Sequence, residues 1–298
     1  MLQKFDPKNK DIQVFVGDGL VHRDDANVSV FDSVVQGGDA VWEGLRVYDG
    51  RILSLDAHLE RLQNSAHALA FRDVPDNENI KKAIFQTLEA NGMRDGVHIR
   101  LTLTRGKKIT SGMDPRLNQF GPTLIVLAEW KPPVYPPAIT LITCSQRRNN
   151  PMFLDSKIHH NNLLNNILAK IEANHAGADA GIMLDKDGFV AEANGVNLFF
   201  IRKGTVHTPF ATACLPGITR QTVIDLCHNN SIPVQEGNYS ITEFYTADEV
   251  FTTGTMGELT RVEEIDGRVI RGAETSVLDK LQELFGAYTR TEGVPLPF

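Results

Sequence analysis

Cysteine is scarce in this chain: Cys144, Cys214 and Cys227 are the three present in 298 residues, and they stand far apart. An odd number with no C-x-x-C pair excludes a disulfide framework and a zinc knuckle and points to a reducing compartment. Basic residues are in deficit, with 30 Lys and Arg against 37 Asp and Glu for a net charge of -7. That balance excludes a duplex-binding surface, which needs concentrated cations to displace counterions from phosphates, so a small molecule is the expected partner. Nowhere do about 18 apolar residues run together, and Met1 to Lys10 carry charges of both signs without an apolar segment. The expectation is a cytoplasmic protein with no membrane anchor. There is no Gly-x-Ser-x-Gly elbow and no Gly-x-Gly-x-x-Gly fingerprint. Gly106-Lys-Lys lacks the spacing of a phosphate-binding loop and reads as a charged interdomain turn. His159-His160 have no carboxylate or cysteine at ligand spacing, so no metal is expected.

What is present fits a globular protein with a substantial core: 42% hydrophobic and 22% charged residues. Four prolines between Pro132 and Pro137 mark the clearest internal boundary. Residues 1–128 read as a smaller N-terminal α/β domain, 129–138 as a linker, and 139–298 as a larger C-terminal domain. The fold class is α+β. In the first part, Ile12 to Val16 and Ile99 to Leu103 alternate as strands, and Asp56 to Phe71 predicts a helix capped by Asp56. Its inward stripe is Leu59, Leu62, Ala66 and Leu69. After the linker, Ile139 to Cys144 predicts a strand and Asn162 to Ala173 a helix with a buried stripe of Leu163, Leu164, Ile167, Leu168 and Ile171. Turn signals at Asp185 to Gly188, Arg202 to Gly204 and Asp266-Gly267 predict three hairpins.

Candidate chemistry concentrates in the second half. Lys157 stands at an apolar-to-polar break just before the second helix, where a lysine can project from a fixed edge. Glu192 lies at alternating spacing among apolar neighbours on a strand that reads as half buried, and a carboxylate there needs a cationic partner. An arginine or a protonated ring nitrogen would serve. Cys214-Leu-Pro-Gly-Ile-Thr-Arg220 opens a helical pattern, with Gly217 freeing the backbone and Thr219 as a natural cap; its unpaired N–H groups suit a phosphate. Thr252-Thr-Gly-Thr-Met-Gly-Glu258 offers a second donor-rich turn.

In this order and at these intervals, with His58-Leu-Glu-Arg-Leu62 in the first half and Asn197 following Glu192, the chain resembles the class IV aminotransferases. These are the fold type IV pyridoxal-phosphate enzymes, which include branched-chain and D-amino-acid aminotransferases. The resemblance implies a two-domain fold whose C-terminal domain carries a hairpin-rich, barrel-like sheet. It implies pyridoxal 5'-phosphate bound to Lys157 as a Schiff base, with Glu192 keeping the pyridine nitrogen protonated. Arg61, by periodicity alone a surface charge, matches the arginine that binds the cofactor phosphate. Ile218, Thr219 and Thr255 are implied as further phosphate contacts, helped by the glycines Gly217 and Gly254. Leu215 packs on the ring, Asn197 lies beside Glu192, and Asn162 stands where many relatives carry a tyrosine on the ring oxygen.

On the substrate side the resemblance implicates Trp42, Arg46, His98 and Arg100, with Thr255 and Met256 as backbone donors and Arg100 the carboxylate candidate. Several positions depart from the branched-chain pattern: His98 replaces a tyrosine, Gly37 an aromatic residue, Val196 a polar one and Arg261 a proline. The implied activity is ping-pong transamination between a branched-chain or other apolar L-amino acid and 2-oxoglutarate. The alternatives are a 4-amino-4-deoxychorismate lyase and a D-amino-acid or (R)-amine transaminase. Members of the family also imply a homodimer.

Overall fold

The computed structural model describes residues 3–272 and 275–298. They form two compact units. The first comprises the described residues up to Pro132 with 158–162 and 289–298, and the second comprises 133–157 and 163–288.

In the first unit, β1 (Gln13–Val16), β2 (Gly19–His22), β3 (Ala40–Tyr48), β4 (Arg51–Ile52), β5 (Val97–Thr104) and β6 (Thr123–Trp130) join the Val294–Pro295 strand in one antiparallel sheet. Its order is Val294–Pro295, β4, β3, β5, β6, β1, β2. Three helices accompany it: α1 (Ser33–Gly37), α2 (Leu55–Ala68) and α3 (Asn77–Ala90). Alternation sorts the strand residues. Val41, Leu45 and Val47 of β3 and Val97, Ile99 and Leu101 of β5 bury with Leu59 and Leu62 of α2 and Ile84 and Leu88 of α3. Trp42, Gly44 and Arg46 therefore point to the opposite face, where Arg46 stands opposite His98 and Gly44 opposite Arg100. The 158–162 segment extends this unit through Trp42 N donating to His159 O and Asn161 N to Ala40 O.

Asp56 does not cap α2. The helix starts at Leu55 after Ser54, whose left-handed backbone leaves it without a side-chain cap, and Asp56 in the first turn pairs with Lys81 at 2.9 Å. The helix also stops at Ala68 rather than running to Phe71, since Ala70 takes a φ of 54°. Gly106-Lys-Lys is not an interdomain turn either. It lies inside the first unit between β5 and β6, where Lys107 bridges Asp32 and buried Lys108 bridges Asn118.

In the second unit the strands are β7 (Ala138–Thr143), β8 (Ala180–Leu184), β9 (Val190–Ala193), β10 (Asn197–Arg202), β11 (Thr205–Pro209), β12 (Val234–Gly237), β13 (Glu249–Gly254), β14 (Glu258–Ile265) and β15 (Arg268–Val269). They follow the order β12, β11, β10, β13, β14, β7, β8, β9, with β15 on β14. The three expected turns connect antiparallel pairs, β8 to β9, β10 to β11 and β14 to β15. β9 ends the sheet at one side while β10 lies near the other, yet a tight turn joins them, closed by Ala193 N donating to Val196 O at 2.9 Å. The sheet must curl to meet that constraint, which gives it the form of a partial barrel.

The stripe expected to bury the helix after Lys157 faces the other way. In α4 (Leu164–His175), Leu164, Ile167, Leu168 and Ile171 are 40–61% exposed, and the residues packed inward are Ala169 and Ala173. Small side chains face the sheet because it lies close: a Cβ on Gly181 of β8 would stand 3.0 Å from Ala169 O.

Candidate active site

The structure distributes the sequence-predicted residues over both units. Lys157, Glu192, Asn197, Leu215, Gly217, Ile218, Thr219, Gly254, Thr255 and Met256 belong to the second, whereas Trp42, Arg46, Arg61, His98, Arg100 and Asn162 belong to the first.

In the second unit the centre is Glu192. All four residues of β9 are buried, so the strand is more enclosed than its alternation suggests, and Glu192 is 4% exposed. Of the two partners open to it in the sequence, the structure supplies an arginine: Arg148 Nε donates to Glu192 Oε1 at 2.5 Å. Arg148 is itself held by Asn165 Oδ1 at 3.1 Å. On the other oxygen, Asn197 Nδ2 donates to Oε2 at 3.3 Å and also to Leu215 O at 3.0 Å.

Asn197 links Glu192 to both donor-rich turns. Gly217 leaves no room for a side chain, since a Cβ there would lie 2.0 Å from Asn197 Oδ1. The helix α5 (Ile218–Asn229) starts one residue later, with Gly217 at its N-cap and no side-chain cap bond. Thr219 therefore does not cap; it lies within the first turn, which keeps its hydroxyl beside the uncapped N–H groups. From the opposite side, Asn197 pairs in register with Thr253, whose buried Oγ1 has no hydrogen-bond partner among the described residues. Gly254 follows, close enough that a Cβ would meet Val196 Cγ1 at 3.1 Å, and Thr255 and Met256 form the turn into β14. Val134 N donates to Met256 O, which ties the proline-rich segment to this turn.

Lys157 occupies a turn, its side chain 44% exposed and its Nζ 3.6 Å from Asp155 Oδ1. Its charge reaches the buried Cys214 thiol: burial, then Glu192, push that thiol up, while Arg220, Arg148 and Lys157 oppose them. A buried carboxylate, an uncapped helix start, an unpaired threonine hydroxyl and a glycine without room for a Cβ fit a phosphorylated heteroaromatic ring that carries a cationic nitrogen.

In the first unit, Arg61 is not a surface charge. Its side chain is 14% exposed and forks onto Glu43, Nε to Oε1 at 2.9 Å and Nη2 to Oε2 at 2.7 Å. On the other sheet face, the Arg100 guanidinium lies 3.4 Å from the Trp42 ring centroid and donates to Asn161 Oδ1 at 3.0 Å. The buried Trp42 Nε1 has no hydrogen-bond partner among the described residues. His98 is driven down to about 3 by burial and by the charges of Lys131, Arg100 and Arg46, which keeps it neutral at physiological pH. Asn162 packs by its backbone near Gly38, 3.6 Å from where a Cβ would stand. Sequence reasoning passed over Glu43 and Arg148 and weighed His159 only as a metal ligand. Glu43 was open to detection, since it interrupts the apolar core-facing series of β3.

The profile of the class IV aminotransferases matches residues 40–265. A branched-chain-amino-acid aminotransferase-like protein 2 of Arabidopsis thaliana is 59% identical over 98% of this chain, and the chain spans 53% of that relative's length. A putative branched-chain-amino-acid aminotransferase of Methanocaldococcus jannaschii is 40% identical, with 92% of this chain and 95% of the relative covered. Among solved structures, a T.th. branched-chain amino acid aminotransferase complexed with N-(5'-phosphopyridoxyl)-L-glutamate superposes with a TM-score of 0.86 at 32% identity, covering 94% of each chain. With that likeness over nearly the whole chain and the curled sheet of the second unit, the chain belongs to the class IV aminotransferases, fold type IV enzymes whose cofactor is pyridoxal 5'-phosphate.

Proposed function

We propose that this chain transfers an amino group between an amino acid and a 2-oxo acid, with branched-chain or other apolar L-amino acids and 2-oxoglutarate as the favoured pair. The observation that carries this reading is the buried Glu192, fixed by Arg148 and Asn197 beside the uncapped start of α5. Bound pyridoxal 5'-phosphate supplies an electron-withdrawing ring that makes the α-proton of an attached amino acid transferable. With the cofactor bound, Lys157 Nζ would carry that proton between the substrate α-carbon and the cofactor C4′ carbon, in one direction in the first half of the cycle and in the other in the second. Glu192 accepts a hydrogen bond from the ring nitrogen and favours its protonated form. The N–H groups at Ile218 and Thr219, the hydroxyls of Thr219 and Thr255, and Arg61 bind the phosphate, with Gly217 and Gly254 admitting it. Leu215 packs on the ring, and Asn162 hydrogen-bonds its oxygen.

Arg100 orients the substrate carboxylate. It suits that role because Trp42 and Asn161 fix its plane and burial lowers it only to about 10, so it stays cationic. The unpaired Trp42 N–H, Arg46, neutral His98 and the backbone at Thr255 and Met256 complete recognition. In this reading the two half-reactions reuse one substrate site in a ping-pong order, so the oxo acid derived from the donor leaves before the acceptor enters. The test is glutamate formation from 2-oxoglutarate with single L- and D-amino acids. Leucine, isoleucine or valine should serve as donors. Turnover confined to D-amino acids or (R)-amines, or pyruvate release from 4-amino-4-deoxychorismate without an acceptor, would replace this reading.

The active form is a homodimer in this reading, because the Leu164, Ile167, Leu168 and Ile171 stripe is an uncharged face that a second copy can cover by two-fold symmetry. Ile167→Glu with Ile171→Glu is expected to convert a dimer into a monomer in sedimentation. A wild-type protein that sediments as a monomer at micromolar concentration refutes the dimer. Three free, buried cysteines suit a reducing compartment such as the cytoplasm, and no described helix is long and apolar enough to cross a membrane.

A further inference from the structure

Two parts of the second unit must keep register for the proposed chemistry: the turn that carries Lys157 and the strand that carries Glu192. One short segment, 147–149, reaches both. Arg148 N donates to Leu184 O at 2.8 Å, on the strand paired with β9, and Arg148 Nε donates to Glu192 Oε1 at 2.5 Å. One residue on, Asn149 O accepts from Ser156 Oγ at 2.6 Å. Ser156 is 1% exposed and directly precedes Lys157, whose own backbone N–H donates to Asp155 Oδ1 at 3.0 Å.

Asn165, in the first turn of α4, grips all three residues of that segment. Its Oδ1 accepts from Arg148 Nη1 at 3.1 Å and from Asn149 N at 3.2 Å, and its Nδ2 donates to Arg147 O at 2.9 Å. An amide oxygen has two lone pairs, and each is used here. The Arg148 guanidinium is thus held at Nε by the carboxylate and at Nη1 by the amide, two grips that fix the plane of a rigid fork. The Cys214 thiol responds to Glu192, Arg148 and Lys157 together, so the three charges share one neighbourhood. All of these residues belong to the second unit.

We propose that Asn165 is the positioning residue that keeps Lys157 and Glu192 in register: one arm of its hydrogen bonding runs through Arg148 to Glu192, the other through Asn149 and Ser156 to Lys157. The inference rests on the reading in which Lys157 bonds to the cofactor and Glu192 faces its ring nitrogen. Removing the amide takes one grip from Arg148 and the side-chain partner from Asn149 N and Arg147 O, so both arms slacken together. Removing the Ser156 hydroxyl slackens the lysine arm alone.

The test compares two ligands by absorbance and fluorescence titration of the apoprotein. Pyridoxal 5'-phosphate engages both arms, since its aldehyde carbon bonds to Lys157 Nζ. The ligand 4'-deoxypyridoxine 5'-phosphate has the same ring and phosphate without the aldehyde, and of the two arms it engages that of Glu192 alone. Asn165→Ala is expected to weaken the deoxy ligand about fivefold and pyridoxal 5'-phosphate about fivefold beyond that, on the scale of one hydrogen bond per arm. Ser156→Ala should weaken pyridoxal 5'-phosphate alone, and the double variant should lose no more than Asn165→Ala, because Ser156 lies in series behind Asn165. Asn165→Asp keeps the accepting oxygen for Arg148 and Asn149 and should recover most of the affinity for both ligands. Equal weakening of both ligands in Asn165→Ala assigns Asn165 a purely structural role and overturns the proposal, as does a loss confined to one ligand or a double variant in which the two losses multiply. Asn165→Gln, which moves the amide by one methylene, is read by the same rule and covers the case in which Asn165→Ala does not fold. Borohydride labelling of Lys157 in the wild type tests the underlying reading separately, so either can fail alone.

Discussion

Lys157→Ala is expected to abolish transamination, a loss of about 10³-fold or more, on the scale of removing a positioned proton-transfer group. Stability should hardly change. The side chain is 44% exposed, and its ion pair with Asp155 spans 3.6 Å at the surface, where such pairs contribute little. The melting temperature of the variant should therefore stay within about 2 °C of the wild type, as for surface substitutions generally. Two measurements check the assignment together. Borohydride reduction of the yellow wild-type protein should fix the cofactor on the peptide containing Lys157, and the variant should carry no such label. Labelling at Lys170, Lys186 or any other lysine, or activity retained within tenfold in the variant, would remove Lys157 from its role.

Glu192 and Glu43 show how unevenly the site could be read in advance. Both are buried carboxylates in apolar strands, and by the same argument both need donors. Glu192 drew notice from its alternating place among apolar neighbours on a strand, with Asn197 shortly after it. The donors of Glu43 come from α2 and from the 158–162 segment, separations that no local pattern reveals. Arg61 shows the same limit, since periodicity placed it on the exposed side of its helix and only the tertiary partner makes it a buried fork. Periodicity also found the α4 stripe but not its direction. A helical period of apolar residues says that something must cover them and does not say what. The inward face is instead carried by Ala169 and Ala173, whose small size is a weak sequence signal and a strong packing one.

Local turn chemistry was the most legible layer. Three hairpins appear where Asp, Lys and Gly clusters place them, because a left-handed backbone is needed there: Gly188, Gly204 and Gly267 have φ of 89°, 75° and 74°. Helix starts were less so. Gly217 rather than Thr219 begins α5, and Ser54 rather than Asp56 precedes α2. A cap residue is recognised by its side-chain bond, and at α5 that bond is missing. That gap leaves the first-turn N–H groups of α5 available for an anion. The residue that fails as a cap is thereby better placed as a phosphate ligand.

Glu192→Ala is expected to show that the same carboxylate serves both the fold and the chemistry. Arg148 and Glu192 are a buried pair, with side chains 7% and 6% exposed. Removing one member of such a pair strands the other's charge and costs about 3–5 kcal/mol. At about 2–4 °C per kcal/mol for a chain of this class, the melting temperature should fall by roughly 10 °C. Turnover should fall by about a hundredfold or more, since the ring nitrogen loses the partner that favours its protonated form. The two effects can be separated. Combining Glu192→Gln with Arg148→Met removes both charges, leaves neither stranded, and should restore most of the lost stability without restoring turnover. Thermal unfolding and single-turnover rates on the three proteins decide the matter. If the double variant recovers stability and activity together, Glu192 is a core ion pair and nothing more. Recovery of stability alone assigns the carboxylate to the cofactor, with Arg148 as the residue that allows it to stay ionised in the interior.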